Sequence, residues 1–500
     1  MNKKALCIAA VLAAVNVAPL SALAGLVAYW PMDEGGGSTT VNVAGSGLNG
    51  TLTNIGANTW VTGRDGTGFA LNFNGSNQMM DAGTNAAMDA INEKLSLGTW
   101  VKTSNTGAWY RSIASKFGNS GINNFWGLGW LGANQLAFIT RDSGGSRIAP
   151  VAPTTWGLDN QWHHVMGVRD KGGTNKASFY GDGDLLQELT ITNGDISNDR
   201  PFQVASHYGS NYVPETVDDL AIWDQPLTPY QVRALARGQV TPATVASATN
   251  EILKDGPVAY WRFEESRTTG INLAADSTGN GRTASYSSPV VTVARHTEFD
   301  PLNRAAKFDD TNDYVNYSGL PPADFGGSGS YSVELWFNAA SRHLGDLVAI
   351  TSTGGGHVLL LELGTNGNIR YLHRMPPGSG GGTNIYAPAS SYNADEWNHL
   401  VAVKDAGTML LYLNGNQVGT ASDTTAFNDT LNVALGRITQ SGSDRSFQGL
   451  LDEVALYNYA LSVDEIRAHM NMVVPEPASA VLVLLGTMGL GGRIRRRMRR

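Results

Sequence analysis

The sequence predicts an all-β protein built from two homologous domains. A ten-residue segment that begins at Gln161 returns as the segment that begins at Glu396, with the Trp, the second His, a Val and the closing Asp unchanged. A repeat of this length in a chain of 500 residues indicates two copies of one domain. The composition, with 59 Gly and 16% charged residues, favours many short strands joined by turns.

Other segments repeat in the same order. Residues 27–30 return as 258–261, residues 97–101 as 333–337, and residues 217–223 as 451–457. We therefore expect a first domain at residues 25–237, a linker at 238–255 and a second domain at 256–471. A hydrophobic content of 42% is enough for two separate cores.

Two local signals recur in both copies. Asp182-Gly183 and Asn414-Gly415 lie between apolar runs and predict tight type I′ hairpins. Thr228 and Ser462 are followed three residues later by Gln and Glu, which is the pattern of a capping box. We expect a short helix to close each domain.

The first 24 residues have the pattern of a secretory signal peptide, with a basic start, an apolar run and an Ala-x-Ala site before residue 25. A buried core helix is the alternative. Cys7 is the only cysteine, so the mature chain would have no disulfide and no thiolate metal site. That chain would also be strongly acidic, which argues against nucleic acid as a partner.

The C-terminal segment 472–500 combines Pro475, Glu476 and Pro477 with an apolar run and six Arg in the last eight residues. This order resembles the PEP-CTERM sorting signal of Gram-negative bacteria. The resemblance implies recognition by an exosortase, removal of the tail after transient anchoring in the inner membrane, and delivery to the cell surface or an exopolysaccharide matrix. Signal peptidase would remove the N-terminal signal peptide. An ordinary membrane anchor is the alternative.

The repeats resemble the laminin-G-like domains of the concanavalin A-like lectin/glucanase superfamily. The resemblance rests on the Tyr-Trp pair near each start, Trp100 and Trp336, the Trp-x-His motifs, the two hairpins and the final acidic-apolar strand. It implies two tandem antiparallel jelly-roll β-sandwiches. The superfamily contains binders, adhesins and glycosidases, so the fold alone does not determine the function.

Acidic residues in both copies suggest a Ca²⁺ site. If Asp218 shares a strand face with Leu220 and Ile222, it points inward and needs hydrogen bonds or a cation. The predicted calcium ligands are Asp33, Asp218, Glu264, Asp276 and Asp452. Carboxylates and loop carbonyls suit calcium, and related folds often carry it near this edge. The alternative is that these carboxylates accept backbone N–H bonds and hold no metal.

The first copy has six tryptophans that the second lacks. Four aromatic residues in one Gly- and Asn-rich section, Trp109, Tyr110, Trp126 and Trp130, form a candidate glycan-binding platform, since aromatic faces stack on sugar rings. The alternative is that these rings fill a local core. His164 is expected to be structural, because no second ligand stands at metal spacing.

No hydrolase motif is complete. Glu298-Phe299-Asp300 begins the Glu-x-Asp-x-x-Glu pattern of the superfamily's glucanases, but Asn303 stands where the last Glu should be. We therefore expect a non-catalytic protein whose partner is a polysaccharide or glycoconjugate. A divergent glycoside hydrolase and a structural matrix protein without a specific ligand are the alternatives.

Overall fold

The computed structural model describes residues 25–471 apart from 106–110, 118–123, 133, 208, 267–271, 288–289, 297–299, 310–312, 379 and 439–444. The predicted signal peptide lies outside the described residues. So do the predicted sorting motif, Pro475, Glu476 and Pro477, and two members of the predicted platform, Trp109 and Tyr110.

The first domain consists of sixteen described strands and two helices. They are β1 (Leu26–Trp30), β2 (Thr39–Thr40), β3 (Gly50–Thr53), β4 (Trp60–Thr62), β5 (Phe69–Asn74), β6 (Met79–Asp81), α1 (Ala86–Asp89), β7 (Lys94–Lys102), β8 (Ser112–Phe117), β9 (Phe125–Trp130), β10 (Leu136–Arg141), β11 (Arg147–Ile148), β12 (Trp162–Asp170), β13 (Lys176–Gly181), β14 (Asp184–Thr190), β15 (Phe202–Val204), β16 (Pro214–Trp223) and α2 (Pro229–Ala236).

The second domain repeats this plan after a connection that holds a 3₁₀ turn (Val245–Ser247) and α3 (Glu251–Lys254). Its elements are β17 (Ala259–Trp261), β18 (Leu273–Ala274), β19 (Ala284–Tyr286), β20 (Val291–His296), β21 (Asp300–Phe308), β22 (Val315–Leu320), β23 (Tyr331–Ala339), β24 (Gly345–Ser352), β25 (His357–Leu363), β26 (Ile369–Gly378), β27 (Thr383–Tyr386), β28 (Trp397–Asp405), β29 (Thr408–Leu413), β30 (Asn416–Ser422), β31 (Leu431–Leu435), β32 (Gly449–Tyr457) and α4 (Val463–Met470).

Each domain is a sandwich of two antiparallel sheets. In the first domain the front sheet has the order β14-β13-β12-β7-β16-β5-β4, with β1 on β16, and the back sheet has the order β11-β10-β9-β8-β15-β6-β3-β2. In the second domain the front sheet runs β20-β21-β32-β23-β28-β29-β30, with β17 on β32, and the back sheet runs β18-β19-β22-β31-β24-β25-β26-β27. A separate apolar core fills each sandwich. The prediction of two tandem jelly-roll sandwiches is confirmed.

Short helices cover the outer faces of the front sheets. Both predicted capping boxes are present, at Thr228 with Gln231 and at Ser462 with Glu465. Apolar residues of α2 pack on the outward side chains of the first front sheet, and α4 does the same in the second domain. Among the described helices, none has the length and hydrophobicity that crossing a membrane requires.

The predicted hairpins have the expected backbone. Asp182 and Gly183 have φ values of 51° and 85°, and Asn414 and Gly415 have values of 49° and 72°. Positive φ at both central residues is what a type I′ turn requires, and it matches the twist of the flanking strands. These turns fix the register of β13 with β14 and of β29 with β30.

Candidate functional site

A cavity of about 220 Å³ lies in the first domain, between the outer face of the front sheet and the segment formed by α2 and residues 238–242. We call it the outer-face cavity. An engineered cavity of about 150 Å³ already takes up a benzene-sized ring, so this one has room for a single sugar ring. The side chains that give it chemical character are Tyr29, Arg64, Trp100, His164, Asp219 and Trp223.

One wall of the cavity is an ion pair set against an aromatic ring. Arg64 Nε donates to Asp219 Oδ2 over 3.2 Å, and Tyr29 Oη donates to Asp219 Oδ1 over 2.6 Å. The Arg64 guanidinium carbon lies 4.5 Å from the centroid of the Trp100 ring. Burial and the neighbouring Asp219 carboxylate raise the pKa of Tyr29, so its hydroxyl stays protonated and remains a donor.

A β-bulge places Asp219 in this wall. Its φ is +50°, and the pairing of β16 with β7 shifts register between Asp218 and Ala221. Bulges re-aim side chains and often stand beside functional sites, and positive φ at a residue other than Gly carries a cost that the surrounding structure must offset. Glu453 has the same conformation at the equivalent place, with a φ of +51°.

Two buried polar atoms of the lining have no hydrogen-bond partner among the described residues. They are Trp223 Nε1 and His164 Nδ1, on side chains that are 2% and 4% exposed. Burial lowers the pKa of His164 to about 4, so at neutral pH the ring is uncharged and has one donor and one acceptor nitrogen. Buried polar groups in native proteins nearly always have partners, so both side chains stand in the wall of the cavity with one hydrogen-bonding atom unsatisfied.

The equivalent place in the second domain is closed. Glu334 Oε1 and His399 Nε2 lie 2.6 Å apart, Tyr457 Oη donates to Glu334 Oε2 over 2.9 Å, and His469 Nδ1 lies 3.0 Å from the same oxygen. All four side chains are fully buried. The two domains therefore have the same backbone arrangement here, but side chains occupy the space between sheet and helix in the second domain and leave it open in the first.

Two residue exchanges explain the difference. His164 pairs with Trp100 across β12 and β7 just as His399 pairs with Trp336, which makes Gly98 the counterpart of Glu334. Leu235 and His469 are both the seventh residue of their helices. The first domain thus lacks the carboxylate and the imidazole that fill the second, and the space remains open.

The predicted orientation of two acidic residues is wrong, and the same bulge is the reason. Val217 and Leu220 both lie in the core of the first domain, with Asp218 and the bulged Asp219 between them. The extra residue reverses the alternation, so Asp218 lies on the outer side of the sheet and not on the face of Leu220. Leu451 and Val454 flank Asp452 in the same way.

Three of the proposed calcium ligands accept backbone N–H bonds. Asp33 Oδ1 accepts from Phe69 over 3.0 Å, and Asp218 Oδ2 accepts from Arg64 over 3.1 Å. Asp276 accepts from Tyr260 and Arg282, among others. Burial, together with the charges of Asp219 and Asp33, raises the pKa of Asp218 to about 7.

The other two are paired with arginine. Glu264 Oε2 accepts from Arg237 over 2.8 Å, and Asp452 Oδ2 accepts from Arg295 over 2.6 Å. No group of three or more His, Cys, Asp or Glu within the described part of the chain could hold a metal ion. The five residues therefore do not fit a calcium site, because the protein's own cations and amides already satisfy them.

The described half of the predicted aromatic platform belongs to the core. Trp126 is fully buried and Trp130 is 1% exposed, and both lie in the core cluster of the first domain. The Trp126 ring lies 5.7 Å from that of Phe202. Alternation along β9 explains this, because Trp126, Leu128 and Trp130 share the inward face. As a correction, these two rings offer no face to a sugar.

Sequence reasoning missed the residues that line the cavity. Trp100 and Trp336, which carry part of the family resemblance, are partly exposed on the outer faces of the front sheets. The signal lay in the differences between the repeats, since Gly98 against Glu334 and Leu235 against His469 are the least conservative exchanges around the site. The sequence does not show that Gly98 and Leu235 face the same cavity, because the β16 bulge at Asp219 decides which side chains point to the outer face.

A family model matches both repeats. The Laminin_G_3 model, described as the concanavalin A-like lectin/glucanases superfamily, matches residues 74–233 and 309–467. Among the curated proteins, none matches this sequence.

Solved structures with the same kind of fold include domains LG4-5 of the mouse laminin alpha1 chain, with 17% identity, a TM-score of 0.27, and coverage of 74% of this chain and 86% of that one. Domain 4 of the Geobacillus stearothermophilus arabinanase AbnA, in complex with arabinotriose, has 17% identity and a TM-score of 0.30, covering 42% of this chain and 96% of that one. The binding domain of botulinum neurotoxin serotype D has 11% identity and a TM-score of 0.34, and the match covers 89% of this chain and 99% of that one. At these values the likeness says nothing about a ligand.

Proposed function

Since the chain belongs to the concanavalin A-like lectin/glucanases superfamily, we propose that it is an exported, non-catalytic protein that binds carbohydrate at the outer-face cavity of its first domain. The observation that carries this proposal is a cavity of about 220 Å³ that Arg64, Trp100 and Asp219 line in the first domain and that the buried cluster around Glu334 closes in the second. A sugar hydroxyl both donates and accepts, so one ring can bind the Arg64 guanidinium and the Asp219 carboxylate together.

The remaining wall suits the same ligand. Asp219 offers an acceptor, Arg64 offers donors, and Trp100 offers an aromatic surface beside them. Small-molecule sites typically combine an apolar lining with a few convergent polar groups that fix orientation. The closed counterpart around Glu334 makes the second domain a natural internal reference, because the same backbone there holds protein side chains where a ligand would lie.

The decisive experiment fills the cavity with the second domain's own side chains. Full-length protein with Gly98→Glu and Leu235→His should lose retention on the sugar that the wild type binds on a glycan array. A Cβ at Gly98 meets only the flexible methyl of Met166 at 2.3 Å, so the backbone need not move. Unchanged retention by a folded double variant, checked by its melting temperature, would reject the cavity as the site.

A milder variant tests the chemistry separately from the space. Asp219→Asn tolerates positive φ and keeps an acceptor for Tyr29. Loss of a charge-assisted hydrogen bond of about 1.5–3 kcal/mol should weaken binding roughly 10- to 100-fold. Asp142→Asn, a carboxylate after β10 in the back sheet of the same domain, is the matched control and should bind like the wild type.

We propose that the protein does not hydrolyse the glycan that it binds, and the glycan-binding assay can test this as well. Incubation of the bound glycan with wild-type protein should release no reducing ends. Turnover that Asp218→Asn or Asp219→Asn abolishes would favour a glycoside hydrolase, and a protein that binds no glycan at all would favour a structural matrix role.

Export completes the proposal. The signal-peptide pattern of residues 1–24 and the Pro475-Glu476-Pro477 motif support delivery to the surface or matrix of a Gram-negative bacterium after transient anchoring in the inner membrane. Replacing the three motif residues by Ala should leave the protein in the membrane fraction with its tail attached, as measured by intact mass. Normal release of that variant would show that an exosortase does not process this tail.

A further inference from the structure

The back sheet of the second domain carries a row of charged side chains on its outer face. Asp346 of β24 pairs with Glu362 of β25, Glu362 pairs with Arg370 of β26, and Arg370 pairs with Tyr386 of β27. The neighbours of Glu362 along the strand, Leu361 and Leu363, belong to the core, so Glu362 and its row face away from it. We call this row, with Arg374, Arg445 and Asn384, the arginine face.

Three guanidinium groups meet on this face. Arg370 Nη1 lies 3.4 Å from Glu362 Oε1, and Arg445 Nη1 binds the other oxygen of the same carboxylate. Arg374 is held by the carbonyl oxygens of Gly378 and Gly381, at 2.8 and 2.9 Å. The side chains of Arg370 and Arg445 are 19% and 25% exposed, so they are fixed in place yet accessible.

The net charge of the arginine face is positive on an otherwise acidic chain. Burial lowers the pKa of His357 to about 4, and the charges of Arg374, Arg445 and Arg370 act on it in the same direction. The carboxylates of the row are Glu362 and Asp346, and Arg445 Nε lies 3.8 Å from Asp346 Oδ2. Three guanidinium groups against two carboxylates leave an excess of positive charge.

An exposed aromatic ring adjoins these charges. Tyr386 is 58% exposed, and the Arg370 guanidinium carbon lies 5.9 Å from its ring centroid. Arg370 Nε donates to Asn384 Oδ1 over 2.7 Å, which holds the guanidinium beside the ring. An aromatic surface next to a fixed fork of donors suits a sugar ring that carries a carboxylate.

We propose that the arginine face of the second domain binds a polysaccharide that carries carboxylate groups. Glu362, Arg370 and Tyr386 stand side by side on three adjacent strands, about 10 Å across at ~4.8 Å per strand, and this width suits a polymer better than a single small anion. This inference rests on the proposed function in that its ligand is a carbohydrate. Beyond the proposed function, the inference states that the carbohydrate is negatively charged and that a second binding site for it lies on the second domain.

The test uses full-length protein and three probes: polygalacturonate, dextran sulfate and neutral dextran. Polygalacturonate should be retained, neutral dextran should not, and Arg370→Gln with Arg445→Gln should weaken retention at least tenfold. The matched control, Lys254→Gln with Arg467→Gln, removes the same charge from exposed positions elsewhere and should bind like the wild type. Retention of dextran sulfate in place of polygalacturonate would overturn the carboxylate assignment.

A second variant, with one exposed side chain removed, tests the arginine face even if Arg370→Gln with Arg445→Gln fails to fold. Tyr386→Ala removes an exposed ring and should weaken polygalacturonate binding several-fold without changing the melting temperature. Unchanged binding would reject the sugar-stacking role, and equal binding of anionic phospholipid vesicles would show a surface without selectivity for polysaccharide. Gly98→Glu with Leu235→His should keep polygalacturonate binding, so failure of the outer-face cavity and failure of the arginine face are separable.

Discussion

Arg237 of the first domain donates a hydrogen bond to Glu264 of the second over 2.8 Å, and the Glu264 side chain is fully buried. Arg262 Nη2 lies 3.3 Å from the other oxygen of the same carboxylate. A second link lies beside it, because Asp184 accepts from Arg233 and from the backbone N–H of Ser266. The helix that closes the first sandwich therefore also joins it to the second.

Removal of this link should destabilise the chain. We expect Arg237→Met to lower the free energy of unfolding by about 1–3 kcal/mol, because a buried carboxylate loses one charged donor and keeps Arg262. Urea denaturation followed by tryptophan fluorescence measures the change. Arg467→Gln, an exposed arginine on α4, is the control and should stay within about 0.5 kcal/mol of the wild type. Equal midpoints for Arg237→Met and wild type would mean that the domains are held by other contacts.

Local patterns in the sequence predicted the fold because they depend only on neighbouring residues. The hairpins at Asp182-Gly183 and Asn414-Gly415 and the capping boxes at Thr228 and Ser462 have the predicted geometry. The predicted site depended instead on strand alternation across Asp218 and Asp219, and one bulged residue reversed it. A bulge leaves no clear mark in a single sequence, which is why Asp218 was assigned to the inward face of its strand.

The buried pair of Arg295 with Asp452 should be strongly coupled to stability. Arg295 Nη1 lies 2.6 Å from the carboxylate, and its guanidinium carbon lies 4.3 Å from the centroid of the Trp397 ring. We expect Arg295→Met to cost about 1–3 kcal/mol at pH 7, because the buried Asp452 carboxylate loses its charged donor. Burial raises the pKa of Asp452, so the loss should shrink as the pH falls and that carboxylate takes up a proton. A cost that does not vary with pH would contradict this account.

Removal of divalent metal should leave the melting temperature of the chain unchanged. The predicted ligands Asp33, Asp218 and Asp276 accept backbone N–H bonds, while Glu264 and Asp452 are paired with arginine. Thermal melts in excess chelator and in millimolar calcium measure this. A rise on adding calcium would mean that the carboxylates exchange their present partners for the ion.

Truncation of the buried tryptophans should affect stability and not sugar binding. Trp126→Ala removes a fully buried ring from the first core and should cost about 3–5 kcal/mol. At a temperature where the variant is still folded, its glycan retention should equal that of the wild type. A variant that is as stable as the wild type but no longer binds would restore Trp126 to the binding surface.

The buried cluster around Glu334 should make the second domain's stability depend on pH in two windows. Burial opposes the charged form of Glu334, but hydrogen bonds from His399 and His469 outweigh it and lower its pKa to about 2. This contribution is present above the ordinary glutamate pKa and is lost as the pH falls from about 4.5 towards 2. For His469, burial is outweighed by Glu334 and Asp255, which raise its pKa, so its contribution is complete below about 6.5 and is lost as the pH rises through the raised value.

The alkaline window can be isolated with the side chain that the first domain has at this place. We expect His469→Leu to be less stable than the wild type at pH 6, because Glu334 loses a charged donor. The difference between the two proteins should narrow towards pH 9, because the wild-type imidazole loses its charge as the pH rises through its raised pKa. Melting temperatures at both values measure it, and Leu235→Ile, a volume-conserving change at the equivalent position of α2, controls for helix packing. A difference that stays constant from pH 6 to 9 would show that His469 contributes by packing and not by charge.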